Sequence, residues 1–181
     1  MRRVMIIGQP GSGKSTLARA MGALTFLPVV HIDRIHWEAG WRERSRPEKT
    51  RLCIEAHTKP AWIFEGGHSA TWPDRLDRAD TLIWLDLPVG RRMARVALRT
   101  ARFYGRTRPD LPPGCPEQFN PEFWRYIWRT RRTARDACAR LFVRAHPDKA
   151  THHLRSAGEV RAYLAALERA VSVGNLGIPH R

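Results

Sequence analysis

GQPGSGKST, residues Gly8 to Thr16, is the stretch that decides the fold of this chain. The pattern G-x-x-x-x-G-K-[ST] is met at full spacing by Gly8, Gly13, Lys14 and Ser15. An apolar run directly before it predicts a strand, and the segment directly after it predicts a helix. A flexible Gly/Ser turn is the alternative interpretation. The Lys-Ser pair and the two flanks favour a phosphate-binding P-loop instead.

This pattern has a physical basis in phosphate chemistry. Glycines let successive backbone N–H groups turn toward an anion, and the helix N-terminus adds partial positive charge. Lys14 can reach the β- and γ-phosphates, and the Ser15 hydroxyl can bind Mg²⁺. We therefore expect ATP and Mg²⁺ as cofactors. The residues expected to bind the nucleotide here are Gly8, Gly11, Ser12, Gly13, Lys14, Ser15 and Thr16.

Composition limits the class of protein. The 181 residues fit one α/β domain, and three scattered cysteines indicate neither a disulfide framework nor a zinc site. Met-Arg-Arg leads directly into the first predicted strand, and no apolar run is long enough for a membrane helix. We therefore expect a cytoplasmic protein without a membrane partner. The 32 Lys and Arg against 17 Asp and Glu would attract any polyanion, including nucleic acid, or phosphorylated ligands.

Apolar runs alternate with helical patterns along the chain, which predicts an α/β fold with a doubly wound five-stranded parallel sheet. We expect one domain over 1–170 and a disordered tail over 171–181. The predicted strands are 2–7, 28–32, 61–65, 82–86 and 151–154. The predicted helices are about 14–24, 45–59, 88–104, 120–145 and 156–170. The capping residues predicted for the second, fourth and fifth of them are Ser45, Asn120 and Ser156.

Three acids follow predicted strands, where ligands bind in open α/β sheets. Asp33 is placed to act on an accepting hydroxyl or on Mg²⁺-bound water, and a capping or turn aspartate is the alternative. Glu65 and Asp86 each end an apolar strand, as the acid that orders Mg²⁺ does in P-loop proteins. The patterns alone do not rank these two acids. Asp86 is followed two residues later by Pro88, which also suits a local helix cap.

Arginines form two notable groups. The segment 34–42 combines two tryptophans with two arginines, which suggests a clamp for a planar anionic ligand or a small cluster that pins a surface loop. A second group recurs on one face of the helix predicted at 88–104, opposite an apolar stripe, and includes Arg92, Arg95, Arg99, Arg102 and Arg106. Such a stripe calls for phosphates or carboxylates nearby, or else forms a solvated face.

Longer motifs carry a resemblance to a known group. They include HID at 31–33, WIFEG at 62–66, IWLDLP at 83–88 and YGRTRPD at 104–110. With the P-loop, these motifs resemble the DNA topology modulation proteins, a branch of the adenylate kinase-like (nucleoside monophosphate kinase-like) P-loop proteins. The resemblance covers about 2–170. It implies the strand order 2-3-1-4-5, which places the third strand beside the P-loop strand and favours Glu65 over Asp86 as the Mg²⁺ acid.

The same resemblance implies the roles of several segments. Residues 34–60 would form an acceptor-binding insertion, and 104–120 a lid-like loop carrying the catalytic Arg106 and Arg108. Arg155 and Ser156 would lie near the adenine. Where adenylate kinases have Asp-Gly-Phe-Pro-Arg after the third strand, this chain has Glu-Gly-Gly-His-Ser at 65–69. The arginine that holds an acceptor phosphate is therefore missing, so a monophosphate acceptor is not indicated.

Together these features predict an ATP-dependent kinase. Lys14 and the P-loop would hold the phosphates, Ser15 and Glu65 would order Mg²⁺, Asp33 would orient an unidentified small acceptor, and the lid arginines would offset negative charge. The alternative is a nucleotide-binding regulatory protein that contacts DNA through arginines and affects DNA topology. That alternative lacks any visible base-reading motif.

Overall fold

A computed structural model describes residues 1–145 and 149–174, and its centre is a parallel β-sheet. Within these residues, five strands form this sheet and two short strands form a separate antiparallel hairpin. In chain order the strands are β1 (Arg3–Gly8), β2 (Val29–His31), β3 (Trp37–Glu38), β4 (Arg42–Glu43), β5 (Trp62–Glu65), β6 (Thr81–Leu85) and β7 (Ala150–Leu154).

The main sheet has the order β2-β5-β1-β6-β7, and every neighbouring pair is parallel. Counting only main-sheet strands along the chain, this is the order 2-3-1-4-5. The predicted α/β fold with a doubly wound five-stranded sheet is therefore confirmed. The P-loop strand β1 lies at the centre, where both of its neighbours supply strand ends close to the loop.

Helices connect the strands and cover both faces of the sheet. In chain order they are α1 (Lys14–Thr25), α2 (Ile32–His36), α3 (Arg46–His57), α4 (Trp72–Arg78), α5 (Val89–Phe103), α6 (Pro121–Arg129), α7 (Thr133–Ala145) and α8 (Ala157–Ser172). The capping residues expected from the sequence are in place. The side chains of Ser45, Asn120 and Ser156 accept backbone hydrogen bonds at the starts of α3, α6 and α8.

Alternate residues of the central strands supply the two halves of the core, because successive side chains of a strand point to opposite faces. Met5 and Ile7 lie in one cluster, which α3, α4 and α7 complete. Val4 and Ile6 lie in the other, which α1 and α8 complete. All four side chains are at most 1% exposed. The strand that positions the P-loop is thus fixed from both faces.

Two short helices were not predicted. Asp33, expected at the end of the second strand, instead lies in α2, because β2 ends at His31 and the chain turns at once into helix. The segment after the third strand contains α4, which has a proline in its first turn. Each has too few residues to show a helical period in the sequence.

The single long helix expected over 120–145 is wrong, because α6 ends at Arg129 and α7 begins at Thr133. A tertiary contact lies at the break. The Gln9 side-chain amide donates a 2.8 Å hydrogen bond to the Arg131 carbonyl, and the Arg131 guanidinium turns back to the Trp128 carbonyl at 2.7 Å. The break therefore brings the chain between α6 and α7 against the P-loop.

The ends of the chain add two observations. Of the predicted tail 171–181, the first two residues belong to α8, and 175–181 lie outside the described residues. His152 and His153 point to opposite sides of β7, as expected for neighbours in a strand: His153 stacks on Trp84 at 4.1 Å, and His152 contacts Tyr163 at 4.7 Å. Over 1–145 and 149–174, no helix has the length and apolar character needed to cross a membrane.

Candidate active site

The P-loop connects β1 to α1 and is shaped by its glycines. Gly11 and Gly13 have φ values of 78° and 97°, in the left-handed region that favours glycine. A Cβ on Gly8 would lie 2.6 Å from the Leu85 carbonyl oxygen, and a Cβ on Gly11 would lie 2.5 Å from that of Arg92. Only glycine therefore lets the loop approach the end of β6 and helix α5 this closely.

Polar groups of the loop fit a phosphate ligand. The Ser12 hydroxyl is buried, and within the described part of the chain it has no hydrogen-bond partner. The Lys14 ammonium donates to the Gln9 carbonyl at 3.2 Å, so the side chain lies over the P-loop, where a phosphate is expected to bind. Thr16 is exposed in the first turn of α1. An unpartnered hydroxyl inside a glycine-lined turn is the kind of donor that phosphate oxygens use.

Glu65 lies directly against the P-loop serine. The Ser15 hydroxyl donates a 2.9 Å hydrogen bond to the Glu65 carboxylate, although the two residues are 50 positions apart. The same carboxylate oxygen is 2.9 Å from Nδ1 of His31 at the end of β2, and both side chains are buried. The expected pair of Mg²⁺ residues thus meets, and His31, which the sequence did not single out, supports it.

Asp86 is held in a different arrangement. Arg135 of α7 forms a two-pronged ion pair with it, with distances of 2.9 and 2.8 Å to its two oxygens, and His153 lies 3.1 Å away. Burial alone would raise the pKa of Asp86, but the hydrogen bonds from Arg135 and His153 outweigh it and lower that pKa. Its predicted capping role is wrong, since the residue at the start of α5 is Pro88 and it receives no side-chain cap.

Asp33 lies where several charged parts of the site converge. Its carboxylate is 4.0 Å from the Arg108 guanidinium and keeps 41% of its side-chain surface exposed. Loss of water around the carboxylate and the charge of Glu65 raise the pKa of Asp33 to about 6, against the opposing charges of Arg108 and Lys14. Such a carboxyl group changes protonation state near neutral pH, as a group that exchanges a proton with a substrate hydroxyl must.

The lid-like loop is joined to the body through a charged cluster, which we call the lid cluster. Arg108 contacts Asp110 at 2.6 Å and Glu117 at 2.7 Å, and these three side chains are almost fully buried. Glu117 also pairs with Arg99 of α5 at 3.1 Å and accepts the Thr100 hydroxyl at 2.9 Å. Arg108 therefore links the lid to Asp33. No role was predicted for Asp110 from the sequence, although it belongs to the YGRTRPD motif, and Glu117 was not distinguished from other loop acids.

Three other predicted site residues lie apart from this cluster. Arg106 is exposed at the start of the loop, where its backbone pairs with Phe103 and Glu117. The Ser156 hydroxyl caps α8 through Glu159, and the Arg155 amide donates to the same glutamate at 2.8 Å. The contacts of Ser156 and of the Arg155 amide are those of the capping box that the sequence indicated.

The arginine stripe of α5 turns toward the P-loop. Arg92 is 1% exposed and donates to the Leu87 and Pro10 carbonyls, both at 3.1 Å. Arg95 donates to the Ser12 carbonyl at 2.9 Å. Backbone carbonyls, which the sequence pattern did not suggest, thus join Glu117 as partners of the stripe. Val96 and Thr100 are buried beside Arg92, so the arginine and core-facing sides of α5 overlap instead of being opposite.

Residues 34–42 support the loop-pinning interpretation. Arg34 donates to the Pro109 carbonyl at 2.6 Å, and the Trp41 indole donates to the Pro116 carbonyl at 3.0 Å. Arg42 pairs with Glu38, and Trp37 packs edge-on against Trp41 at 5.4 Å. The arginines and tryptophans of the proposed clamp are therefore committed to local contacts and to the lid-like loop.

Known proteins resemble this chain in sequence and in fold. No family model matches it. A shikimate kinase from Rhodococcus jostii (strain RHA1) is 27% identical over 137 residues, covering 68% of this chain and 78% of the relative. In structure, a shikimate kinase from Acinetobacter baumannii in complex with shikimate has a TM-score of 0.55 at 14% identity, covering 97% of this chain and 96% of that one.

A second structure, shikimate kinase from Bacteroides thetaiotaomicron, has a TM-score of 0.54 at 15% identity and covers 94% of this chain and 98% of its own. At these identities the structural likeness speaks for the fold. The resemblance to DNA topology modulation proteins is not found among these relatives. The sequence relative, the fold and the P-loop together support a P-loop kinase, a phosphotransferase that acts on a small acceptor.

Proposed function

We propose that this protein transfers the γ-phosphoryl group of ATP to a hydroxyl group of a small acceptor bound near Asp33. One observation carries the proposal. The Asp33 carboxylate lies 4.0 Å from the Arg108 guanidinium of the lid-like loop, and Glu65, whose charge also acts on Asp33, accepts a 2.9 Å hydrogen bond from Ser15 of the P-loop. The parts of the site that a kinase needs therefore converge on one group that can accept a proton.

Each residue has a role in this proposal. The P-loop amides, the Ser12 hydroxyl and Lys14 would hold ATP phosphates, with Ser15 and Glu65 holding Mg²⁺. When bound, ATP supplies the phosphoryl group and Mg²⁺ neutralises its oxygens. Asp33 would orient the acceptor hydroxyl and take up its proton. Glu65 is preferred over Asp86 because it contacts Ser15, whereas Asp86 is paired with Arg135.

The remaining assignments follow the chain segments. We propose that 34–60 forms the acceptor side and 104–120 the lid of a single domain over 1–170. Arg108 would act from the lid on the transferred group, with Arg106 joining it on closure, and the loop at Arg155 and Ser156 would border the adenine. The relative's name makes shikimate the first acceptor to test.

The DNA-binding alternative receives no support. The DNA-binding alternative was based on the arginine stripe of α5. Within that stripe, Arg92, Arg95 and Arg99 have hydrogen-bond or ion-pair partners inside the protein. Arginines in such contacts are not available to neutralise DNA phosphates. The resemblance to DNA topology modulation proteins therefore contributes only the kinase-like fold to the present proposal.

The test measures ADP release from ATP across shikimate, other polyhydroxy acids, sugars and nucleosides. We expect release that depends on one acceptor and on Mg²⁺. Lys14→Ala should lower it by about 100-fold or more, because a charge that offsets phosphate charge in the transition state is lost. Arg169→Ala removes an exposed positive charge in the last turn of α8, outside the proposed site, and is the control. Equal turnover by Lys14→Ala and the parent would contradict the proposal.

A further inference from the structure

Arg75 of α4 is a fully buried arginine with no assigned role. Its exposed fraction is 0%. Among the residues that the structure describes, no carboxylate lies within ion-pair distance of its guanidinium, and its Nε has no hydrogen-bond partner. Burying a cation without a counter-charge is costly, so a side chain kept in this state needs another explanation.

Arg75 contacts the residues that directly precede and follow Glu65 in the sequence. Its guanidinium lies 3.6 Å from the centre of the ring of Phe64, the residue that precedes Glu65 in the sequence. It also donates to the carbonyl of Gly66, directly after Glu65, at 3.2 Å, and to that of Gly67 at 3.3 Å. One rigid group thus contacts the residues on both sides of Glu65.

Arg75 also determines which way the glycine turn faces. Its second amino group is anchored by the Thr71 hydroxyl at 2.8 Å, and the Trp72 indole reinforces the Gly67 carbonyl at 3.1 Å. The C=O and N–H of a trans peptide point in opposite directions. Since both carbonyls face α4, the amides of Gly67 and His68 must point away from it.

The glycine turn also packs closely against the segment that carries Asp33. Gly66 has φ of 106°, and a Cβ there would lie 2.1 Å from the Ile32 side chain, which precedes Asp33. A displaced turn would therefore move Glu65 relative to Ser15 and also press on the segment that carries Asp33. Burial lowers the pKa of Arg75 to about 10, so the group stays charged at neutral pH.

We propose that Arg75 is a positioning residue, which fixes the end of β5 so that Glu65 meets Ser15 and Mg²⁺·ATP in the productive geometry. This inference rests on the proposed function. Arg75 does not touch the nucleotide itself. It acts through the ring of Phe64 and the backbone carbonyls of Gly66 and Gly67, as residues behind a metal ligand generally do.

The test compares the binding of a fluorescent ATP analogue in Mg²⁺ and in EDTA. The parent should gain affinity when Mg²⁺ is added. Arg75→Met should lose about tenfold of that gain, the range expected for a residue that supports a metal ligand, with its affinity in EDTA unchanged. Arg75→Lys keeps the charge but cannot reach two carbonyls and Thr71, so its loss should be intermediate. Arg78→Met, on the exposed side of the same helix, is the control.

Folding is followed by circular dichroism and thermal melting, and if Arg75→Met does not fold, Arg75→Lys decides. A folded Arg75 variant with the parent's full Mg²⁺-dependent gain would overturn the inference. Equal losses in EDTA and in Mg²⁺ would overturn it too, because they would indicate general damage to the P-loop. A parent that gains no affinity from Mg²⁺ would instead overturn the proposed function, and this inference with it.

Discussion

Asp33 shows how strongly one side chain in this protein depends on its surroundings. The residue belongs to a short helix, and its carboxylate, although partly exposed, is desolvated on its protein side and lies near the charges of Glu65, Arg108 and Lys14. The net result is a pKa of about 6, well above the usual value for aspartate. A group of this kind favours proton exchange at the expense of stability, because its charged form is poorly solvated.

Asp33→Asn should therefore stabilise the protein while it removes activity. A raised pKa means that the protonated form contributes stability below about pH 4, and that this contribution is lost as pH rises through about 6. Asparagine cannot ionise, so the variant should melt at a higher temperature than the parent at about pH 8 but not at about pH 4. Phosphoryl transfer should fall by about 100-fold or more. In the parent, its rate should rise with pH through about 6.

Asp77→Asn is the matched control for this prediction. Asp77 is an exposed acid whose side chain is 63% accessible and pairs with Arg144 at the surface. Its replacement should change neither the pH dependence of melting nor the transfer rate. Equal melting temperatures for Asp33→Asn and the parent at the higher pH would show that the carboxylate is not strained.

At the scale of elements, the lid-like loop and helix α5 form a connected unit. Glu117 of the loop pairs with Arg99 and Thr100 of α5, while Arg108 pairs with Glu117 inside the loop. The insertion joins the same unit through the Trp41 indole and the Pro116 carbonyl. Residues 34–60 and the lid-like loop therefore contact each other directly, so we expect a displacement of one to affect the other.

Glu117→Gln tests whether the lid cluster holds arginines that can serve phosphate. Removal of one partner from a buried charged group should cost about 3 kcal/mol of unfolding free energy, since Arg99 loses its ion-pair partner and Arg108 keeps Asp110 but loses Glu117. ATP should then raise the melting temperature of the variant more than that of the parent, because its phosphates can pair with the released arginines.

The control variant is Glu55→Gln, which removes an exposed acid that pairs with Arg51 on α3. Its unfolding free energy should change by less than about 1 kcal/mol, as is usual for surface pairs. If ATP stabilises Glu117→Gln no more than the parent, the lid arginines do not face the nucleotide. The role proposed for Arg108 would then be wrong.

At the scale of the whole molecule, the net charge of +15 is the dominant electrostatic property. Part of the positive charge lies inside the protein, where the guanidinium groups of Arg75 and Arg92 donate to backbone carbonyls. Other arginines remain exposed, among them Arg125 and Arg129 on α6, where Trp128 and Tyr126 are also half exposed. Exposed like charges repel and oppose the compact state.

Added NaCl should therefore stabilise the protein. Raising the salt concentration from about 20 mM to about 300 mM shortens the screening length and weakens repulsion among the exposed arginines. We expect a rise in melting temperature of about 3 °C, which corresponds to about 1 kcal/mol for a chain of this size. KCl at equal ionic strength should have the same effect. A steady fall with salt would instead mean that favourable ion pairs outweigh the repulsion.

Local signals in the sequence predicted the strands of the main sheet and most of the helices. The P-loop pattern, the alternation of apolar runs with helical patterns, and the caps at Ser45, Asn120 and Ser156 each depend on residues a few positions apart. Such signals are readable without the tertiary structure. The strand order followed from the resemblance to P-loop kinases, and the observed sheet has that order.

Contacts between distant residues were decided only by the tertiary structure. Ser15 donates to Glu65 across 50 positions, Arg135 pairs with Asp86 across 49, and Gln9 donates to Arg131, between α6 and α7, across 122. The arginine stripe was visible in the sequence, but its carbonyl partners were not. The sequence by itself determined that a nucleotide-binding kinase fold forms, because local periodicity and glycine geometry control the elements. Which polar groups meet at the site depended on packing, which no local pattern encodes.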